Sequence, residues 1–345
     1  MTDDSNDAVL DDETRAFADE LTKEIKENPP LKCQVTFNWS GNAELAQQVN
    51  LQLQIYSVLM RRRHPWMSFE ALDSIVFHHD YQQALRDVSE RAGRLCHATT
   101  ETSGVGVAMV VHLDEKCVTV LDAGLALGIA QNEDQDHKNL CIDLVMHELC
   151  HVHDYGRKRT LLAHEFLKRK MEGLEWHTFM AAESAWCEYF ANNYCTTGMS
   201  SPDMHPKYVA EVVRDVASDV KSAIREYRSH HRSDEVGDLA QQKVRFLFQC
   251  FGYAAGRLVA NGANLEDVAP ESLAALEAAG LKTVWHAVVE ELQRLDGCRD
   301  SWTTFDELKT LMDLVIQTYA ALGMYFSIKE GNVWVDIPFT ADTMP

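Results

Sequence analysis

The sequence predicts a helix-rich α+β protein with a small antiparallel sheet and a helical C-terminal region. Apolar residues recur at three- and four-residue spacing along several long segments, which is typical of amphipathic helices. Two alternating, β-branched segments at 105–113 and 117–121 flank Asp114-Glu115-Lys116, which predicts a β-hairpin. With 345 residues the chain can bury a large core, in one domain or two.

The remaining elements follow from the same two periodicities. Strands are predicted where short β-branched or aromatic runs occur, at 35–37, 74–79, 325–328 and 333–337. Helices are predicted where the three- and four-residue spacing is sustained, at 43–62, 81–94, 182–194, 208–227, 239–258, 281–295 and 305–322. One more helix is predicted through the apolar run 140–146, with polar capping at 132–136 and a stop at Gly156.

Composition and motifs divide the chain into three predicted regions. Residues 1–30 carry ten acidic and three basic residues, so they predict an acidic N-terminal arm with a helix that Pro29-Pro30 closes. Residues 31–200 contain the motifs described below. Residues 201–345 are predicted to be helical and to end in a β-hairpin.

The central motif is the HExxH pentapeptide His147-Glu148-Leu149-Cys150-His151. A step of four residues returns to nearly the same face of a helix and rises about 6 Å, so two imidazoles spaced in this way can bind one Zn²⁺. A buried helix rarely carries three ionisable side chains within five positions unless they are paired or bind a metal. The alternative is a chance match in a helical scaffold, which would contain no stoichiometric metal.

The residue types in this motif suit metal-assisted hydrolysis. Neutral imidazoles bind zinc without cancelling its charge, and the metal lowers the pKa of a bound water to about 7. The carboxylate of Glu148 is then placed to take the proton of the water and to pass it to a leaving amine. Glu148 is therefore the predicted catalytic residue.

A catalytic zinc needs a third protein ligand, and the predicted helix 182–194 offers one. Glu188 is the preferred ligand and Glu183 is the alternative. Because these residues lie about 140° apart around a helix, both should not face the metal. Asn192, four residues after Glu188, and Asp154, just after the pentapeptide, are expected to contact and orient the ligands.

HExxH followed by the later Glu188-Tyr189-Phe190-Ala191-Asn192 resembles the gluzincin branch of the zincin metallopeptidases. In layout the chain is most similar to the ImmA/IrrE-like regulatory endopeptidases. The likeness covers at most residues 105–195, and the long, charged segment between His151 and Glu188 departs from it.

This resemblance implies a zincin-like metallopeptidase core within residues 31–200. It implies one Zn²⁺ per chain with His147, His151 and Glu188 as ligands, Glu148 as general base and Asn192 as the residue that orients a ligand. It also implies an intracellular regulatory endopeptidase that cleaves a narrow set of protein or peptide substrates.

Two further questions stay open at this stage. Tyr189 and Tyr194 are candidate donors to the oxyanion, although core packing explains them equally well. The alternative function is a non-catalytic, zinc-stabilised regulatory or interaction protein, in which a thiolate of Cys150 or Cys187 closes the fourth coordination position.

Composition restricts partners and location. A formal net charge of −21 argues against general binding of nucleic acid. No run of about twenty apolar residues predicts a membrane span, and the acidic N-terminus lacks a basic-then-apolar signal segment. Nine cysteines without a CxxC pair predict reduced thiols and a cytoplasmic location. The sequence does not indicate an oligomeric state.

Overall fold

Helices account for most of the computed structural model, which describes residues 12–39, 43–93, 96, 100–101, 104–131, 134–168, 170–195, 203–330, 332–341 and 343–344. The helices are α1 (Asp12–Glu27), α2 (Ala43–Arg63), α3 (Tyr81–Ala92), α4 (Ala123–Gln131), α5 (Gln135–Leu161), α6 (Ala163–Lys168), α7 (Gly173–Tyr194), α8 (Met204–His230), α9 (Ser233–Ala260), α10 (Leu265–Val268), α11 (Pro270–Ala278), α12 (Lys282–Cys298) and α13 (Lys309–Ala321). Short 3₁₀ helices lie at Arg299–Ser301 and Phe305–Leu308.

Eight strands are described beside these helices. They are β1 (Gln34–Asn38), β2 (Leu72–His78), β3 (Thr100–Glu101), β4 (Gly104–Val105), β5 (Ala108–His112), β6 (Cys117–Asp122), β7 (Tyr325–Lys329) and β8 (Asn332–Asp336). The structure therefore confirms the α+β class and the predicted C-terminal hairpin, since β7 and β8 pair antiparallel. In the described residues no helix is long and apolar enough to cross a membrane.

The chain divides into two compact units. One contains Met1–Ala98 and Gly106–Met146, and the other contains Thr99–Val105 and His147–Pro345. This division differs from the three regions expected from composition, and those regions stay a prediction. Of the expected acidic arm 1–30, residues 1–11 lie outside the described part of the chain and α1 provides the helix.

The sheet of the first unit corrects the prediction of an antiparallel sheet. Its strand order is β1-β2-β6-β5, and the sheet is mixed, because β1 pairs parallel with β2 and β2 pairs parallel with β6. Parallel neighbours need a crossover connection, and α2 and α3 lie on the connections between these strands. Only β5 and β6, which a tight turn joins, form the predicted antiparallel pair.

Helix α3 covers one face of this sheet. Tyr81, Leu85 and Val88 recur at three- and four-residue spacing and pack in one cluster with Val118 and Val120 of β6. The helix has clear ends, because the side chain of Asp80 accepts a hydrogen bond from the Gln83 backbone amide and Gly93 adopts the left-handed conformation.

Helix α5 carries the pentapeptide and is longer than predicted. It continues past Gly156, the expected stop, to Leu161. Arg157 and Lys158 each form an ion pair with Asp154 one turn earlier, at 2.8 and 2.9 Å, which stabilises the helix across the glycine. Of the expected capping residues, Asp134 accepts from the Asp136 amide at 3.0 Å, while residues 132–133 lie outside the described chain.

In the second unit, α7 and α9 approach closely enough for their backbones to touch. A Cβ on Gly252 would clash with the Ala185 carbonyl oxygen, and one on Gly256 would clash with the Tyr189 carbonyl oxygen. Glycine at these two positions, four residues apart on one face of α9, permits this contact. The approach brings the middle of α9 against Glu188 on α7.

Candidate metal centre

Three side chains from α5 and α7 converge on one point in the second unit. The Nε2 atoms of His147 and His151 are 3.0 Å apart, and Glu188 Oε2 lies 3.1 and 3.3 Å from them. The four-residue spacing of the histidines places both imidazoles on the same helix face. In the part of the chain that the structure describes, this is the one group of three or more His, Cys, Asp or Glu side chains with such close ligand atoms.

The donor set fits a zinc ion. Ligand atoms at about 2.05 Å from one tetrahedral Zn²⁺ lie about 3.3 Å from each other, close to the three separations observed here. Glu188 Oε2 is buried and accepts no hydrogen bond of regular geometry, which suits an oxygen that bonds to a cation. Two imidazoles and one carboxylate leave a fourth position for water or substrate, the arrangement of catalytic zinc sites.

The charges of the group are strongly coupled. Burial disfavours the charged form of His151, but the carboxylates of Glu188, Glu148 and Asp154 together outweigh it and raise the pKa of His151 to about 9. Burial likewise opposes ionisation of Glu188, but the imidazoles of His151 and His147 hold its pKa well below its usual range. Without a metal, one proton therefore stays on the histidines, where a cation would replace it.

Glu148 lies beside this group and is buried. Its negative charge acts on His151 and on the phenol of Tyr253, and it contributes to the raised pKa of each. The structure thus brings together all four residues of the predicted catalytic set, His147, Glu148, His151 and Glu188.

Helix α9 adds two residues that the sequence did not indicate. The Gln249 side-chain amide donates to Glu188 Oε1 at 2.9 Å and to the Tyr253 hydroxyl oxygen at 3.0 Å. The Tyr253 ring centroid lies 6.0 Å from that of His147. Gln249 therefore links a metal-ligand candidate to the phenol of Tyr253. The one local signal for this helix is the pair of glycines that lets it approach α7.

His205, at the start of α8, stacks on Tyr253 with ring centroids 5.1 Å apart. Burial, reinforced by the positive charge of Arg257, lowers the pKa of His205 to about 3, so its imidazole is neutral at pH 7. The Tyr253 ring is thus near two imidazoles, those of His205 and His147.

Asp154 and Glu183 serve another cluster, next to the metal group. Asp154 accepts from Arg157, Lys158 and the indole of Trp186, rather than from a ligand histidine as expected. Glu183, the alternative third ligand, accepts from the Lys158 ammonium at 2.8 Å. Lys158 is buried, so both acids are needed to compensate its charge, and neither is among the converging ligand atoms.

The two cysteines considered as thiolate ligands are also absent from the converging group in the described residues. The Lys158 ammonium donates to Cys187 Sγ at 3.2 Å, on the side of the buried ion pair. Burial raises the pKa of both the Cys187 and the Cys150 thiols well above the ordinary value. Both thiols are therefore protonated in the metal-free protein.

Three other candidate residues on α7 contact groups other than the two histidines. The Asn192 amide donates to the backbone carbonyl of Glu188 at 3.0 Å, one turn earlier, instead of reaching a histidine. The Tyr194 hydroxyl donates to the Asp296 carboxylate at 2.8 Å and accepts from Arg299. Tyr189 is fully buried and packs on Trp186. Neither tyrosine is an oxyanion donor in this structure.

Comparisons with known protein families, with curated proteins and with solved structures find no match for this chain. The gluzincin resemblance therefore stays a prediction, and functional assignment depends on the geometry of the site.

Proposed function

We propose that this protein is a zinc-dependent metallopeptidase with a zincin-like core, which hydrolyses a peptide bond in a protein or peptide substrate. The observation that carries the proposal is the convergence of His147, His151 and Glu188, with ligand atoms 3.0–3.3 Å apart, beside the buried carboxylate of Glu148. A zinc ion held there would supply Lewis acidity, which polarises the scissile carbonyl and makes a water acidic enough to deprotonate near pH 7.

Glu148 acts as the general base in this proposal. Its carboxylate accepts a proton from the attacking water and then delivers it to the leaving amine. Its position one residue after His147 keeps it beside the ligands but outside the converging group itself.

Tyr253 is the proposed donor to the developing oxyanion. Its hydroxyl oxygen accepts from Gln249, and no described residue takes its proton, so the phenol has a hydrogen to donate to substrate. Burial raises its pKa well above the ordinary value, so the phenol keeps that proton across the neutral range. Stacking of His205 restricts the ring to one orientation.

The absence of both candidate thiolates from the described ligand group supports an open, catalytic site over a closed, purely structural one. All nine cysteines are free, which supports the cytoplasmic location that we include in the proposal. By the resemblance of its motifs, we also propose that the enzyme is a regulatory endopeptidase with narrow specificity.

The metal content of the purified protein tests the site. We expect one zinc per chain in the wild type, and its loss in His147→Ala and Glu188→Ala. Glu183→Gln, which alters a carboxylate of the same helix that contacts Lys158, is the matched control and should retain zinc. A wild type that binds no zinc after reconstitution would refute the proposed site.

Hydrolysis of a quenched-fluorescent peptide library tests the reaction. Glu148→Gln should retain zinc and lose roughly 10²–10⁴-fold in rate, because the amide cannot accept the proton of the water. Equal rates for Glu148→Gln and the wild type would exclude this residue as general base. A zinc-loaded wild type that cleaves neither the library nor denatured proteins would favour the non-catalytic alternative.

A further inference from the structure

The terminal hairpin of β7 and β8 carries large apolar side chains in solvent. Ile328 and Trp334 are 73% and 56% exposed, and every residue of β8 is exposed. A two-stranded hairpin is only marginally stable by itself, and contiguous exposed apolar surface marks interaction sites. The hairpin is therefore a candidate for an interface.

One face of this hairpin borders a groove. A cavity of about 380 Å³ lies between Phe326, Val333 and Val335 of the hairpin and the first turns of α7 and α9. Val333 and Val335 line it and are still 47% and 41% exposed, so the cavity opens to solvent. Its volume is within the range of ligand pockets, about 300–1,000 Å³.

The charged groups of the groove are acidic. Asp234 and Asp238 lie one turn apart at the start of α9, line the cavity and are exposed. In the described chain neither carboxylate has an ionic partner, and neither lysine nor arginine lines the groove. His177 also lines the groove; burial lowers its pKa against the opposing charge of Asp238, so its imidazole is neutral at pH 7. The groove thus complements a positively charged occupant.

The hairpin also offers an open strand edge. Among the described residues β8 pairs with β7 alone, whereas β7 packs against α13 through Phe326 and Tyr319. The Arg228 guanidinium donates to the carbonyls of Ile337 and Pro338 at 2.6 and 2.9 Å and so fixes the end of β8. A fixed, open edge can accept an extended peptide as a third strand, with alternate side chains directed to the same face as Val333 and Val335.

We propose that this groove binds an extended segment of a partner protein in which every second residue is either apolar or basic, so that both kinds of side chain lie on one face of the added strand. The segment would add to the edge of β8, place its apolar side chains in the cavity and its basic ones near Asp234 and Asp238. Charge argues against the chain's own terminal arm, since residues 1–30 are acidic, and against a second copy, which would bring the same carboxylates. This interface goes beyond the proposed hydrolysis and does not depend on zinc.

Fluorescence anisotropy of a labelled peptide, Val-Thr-Lys-Thr-Val-Thr-Lys, in which valine and lysine share one face of a strand, tests the interface directly. The Glu148→Gln protein is used so that the peptide is not cleaved. We expect saturable binding, weakened at least about ten-fold when the basic residues of the peptide are glutamate and in the Asp234→Asn/Asp238→Asn variant. Val333→Ser/Val335→Ser should abolish binding. Trp334→Ser, on the same strand but the opposite face, is the matched control and should bind within about two-fold of the parent.

Several results would overturn the proposal. Equal affinity for the basic and acidic peptides would remove the charge argument, and equal affinity of the Val333→Ser/Val335→Ser variant would place the peptide elsewhere. Absence of saturable binding would reject the groove as a peptide site. A dimer in sedimentation equilibrium that Val333→Ser/Val335→Ser dissociates would identify the occupant as a second copy.

Discussion

A single methyl group at position 252 should force α7 and α9 apart next to the metal site. A Cβ at this position would lie 3.0 Å from the Cβ of Glu188 and closer still to the backbone carbonyl oxygen of Ala185. Because that oxygen belongs to a helix backbone, no side-chain rotation relieves the clash. The two helices must separate locally by about 1 Å to reach ordinary van der Waals distance.

The magnitude of the effect follows from two opposing contributions. Overpacking of this kind costs about 1–3 kcal/mol, while alanine in a helix interior is favoured over glycine by about 1 kcal/mol. Gly252→Ala should therefore lower the free energy of unfolding by up to about 2 kcal/mol. A shift of 1 Å would also stretch the bond between Gln249 and Glu188, now 2.9 Å, beyond hydrogen-bonding distance. Loss of such a supporting contact typically weakens metal binding by about ten-fold or more.

Urea unfolding measures the first effect, and zinc competition against a chelator measures the second. Gly297→Ala is the matched control, because it lies in helix α12 and an added Cβ there meets no atom within 4 Å. It should be neutral or slightly stabilising and leave zinc affinity unchanged. If Gly252→Ala is as stable as Gly297→Ala and binds zinc as tightly as the wild type, the argument from close helix packing is wrong.

Three further predictions concern the site and its neighbour. The first is that Tyr253→Phe, which keeps the ring but removes the hydroxyl, lowers kcat about 10²–10³-fold and leaves KM and zinc content nearly unchanged. An unchanged kcat would exclude the phenol as oxyanion donor. The second prediction concerns zinc affinity measured with metal buffers from pH 6 to 10. The affinity should rise about ten-fold per pH unit and level off near pH 9, because His151, whose pKa is raised to about 9, must release its proton before zinc binds. A plateau that begins near pH 6.5 would contradict the raised pKa. The third prediction concerns Lys158→Met, which leaves Asp154 and Glu183 without their shared ammonium and should lower the free energy of unfolding in urea by about 3 kcal/mol. Lys309→Met, which removes a surface ion pair, is the control. Equal stability of the two variants would mean that the buried ion pairs contribute nothing.

In the metal-free protein, the contribution of His151 to folding stability has the opposite pH dependence to zinc affinity. A raised pKa means that folding favours the protonated form of His151, so its contribution to stability is complete below about pH 6.5 and is lost as the pH rises through 9. Zinc and proton thus stabilise the same residues in different pH ranges. Thermal unfolding with and without chelator at pH 6 and pH 9 separates the two, since added zinc should stabilise more at pH 9.

Local geometry explains what could be predicted from the sequence. The spacing of His147 and His151 determines a shared helix face whatever the rest of the chain does, because both lie within about one turn of backbone. The same periodicity predicts that Glu183 and Glu188 do not both face the histidines, and the structure places Glu183 against Lys158, away from the converging atoms. Helix and strand positions also followed from periods of 3.6 and 2 residues.

Distance along the chain explains what could not be predicted. Gln249 contacts Glu188 across 61 residues of sequence, and no spacing rule connects two helices whose contact depends on packing. Asp154 was predicted to contact a histidine, but in the structure its carboxylate forms ion pairs with Arg157 and Lys158. The mixed sheet likewise depends on which strands the crossover helices bring together.

The sequence by itself therefore determined the helix-rich class and the shared face of the HExxH histidines, and it predicted Glu188 ahead of Glu183 as the third ligand. The reason is that helical periodicity arises from backbone geometry within one or two turns. Only the tertiary structure decided which side chains contact the histidines and Glu188. It also decided which carboxylates pair with buried ammonium and guanidinium groups, and it placed Tyr253 near His147. Those relations depend on the close packing of α7 on α9, which two glycines permit but which no local pattern specifies.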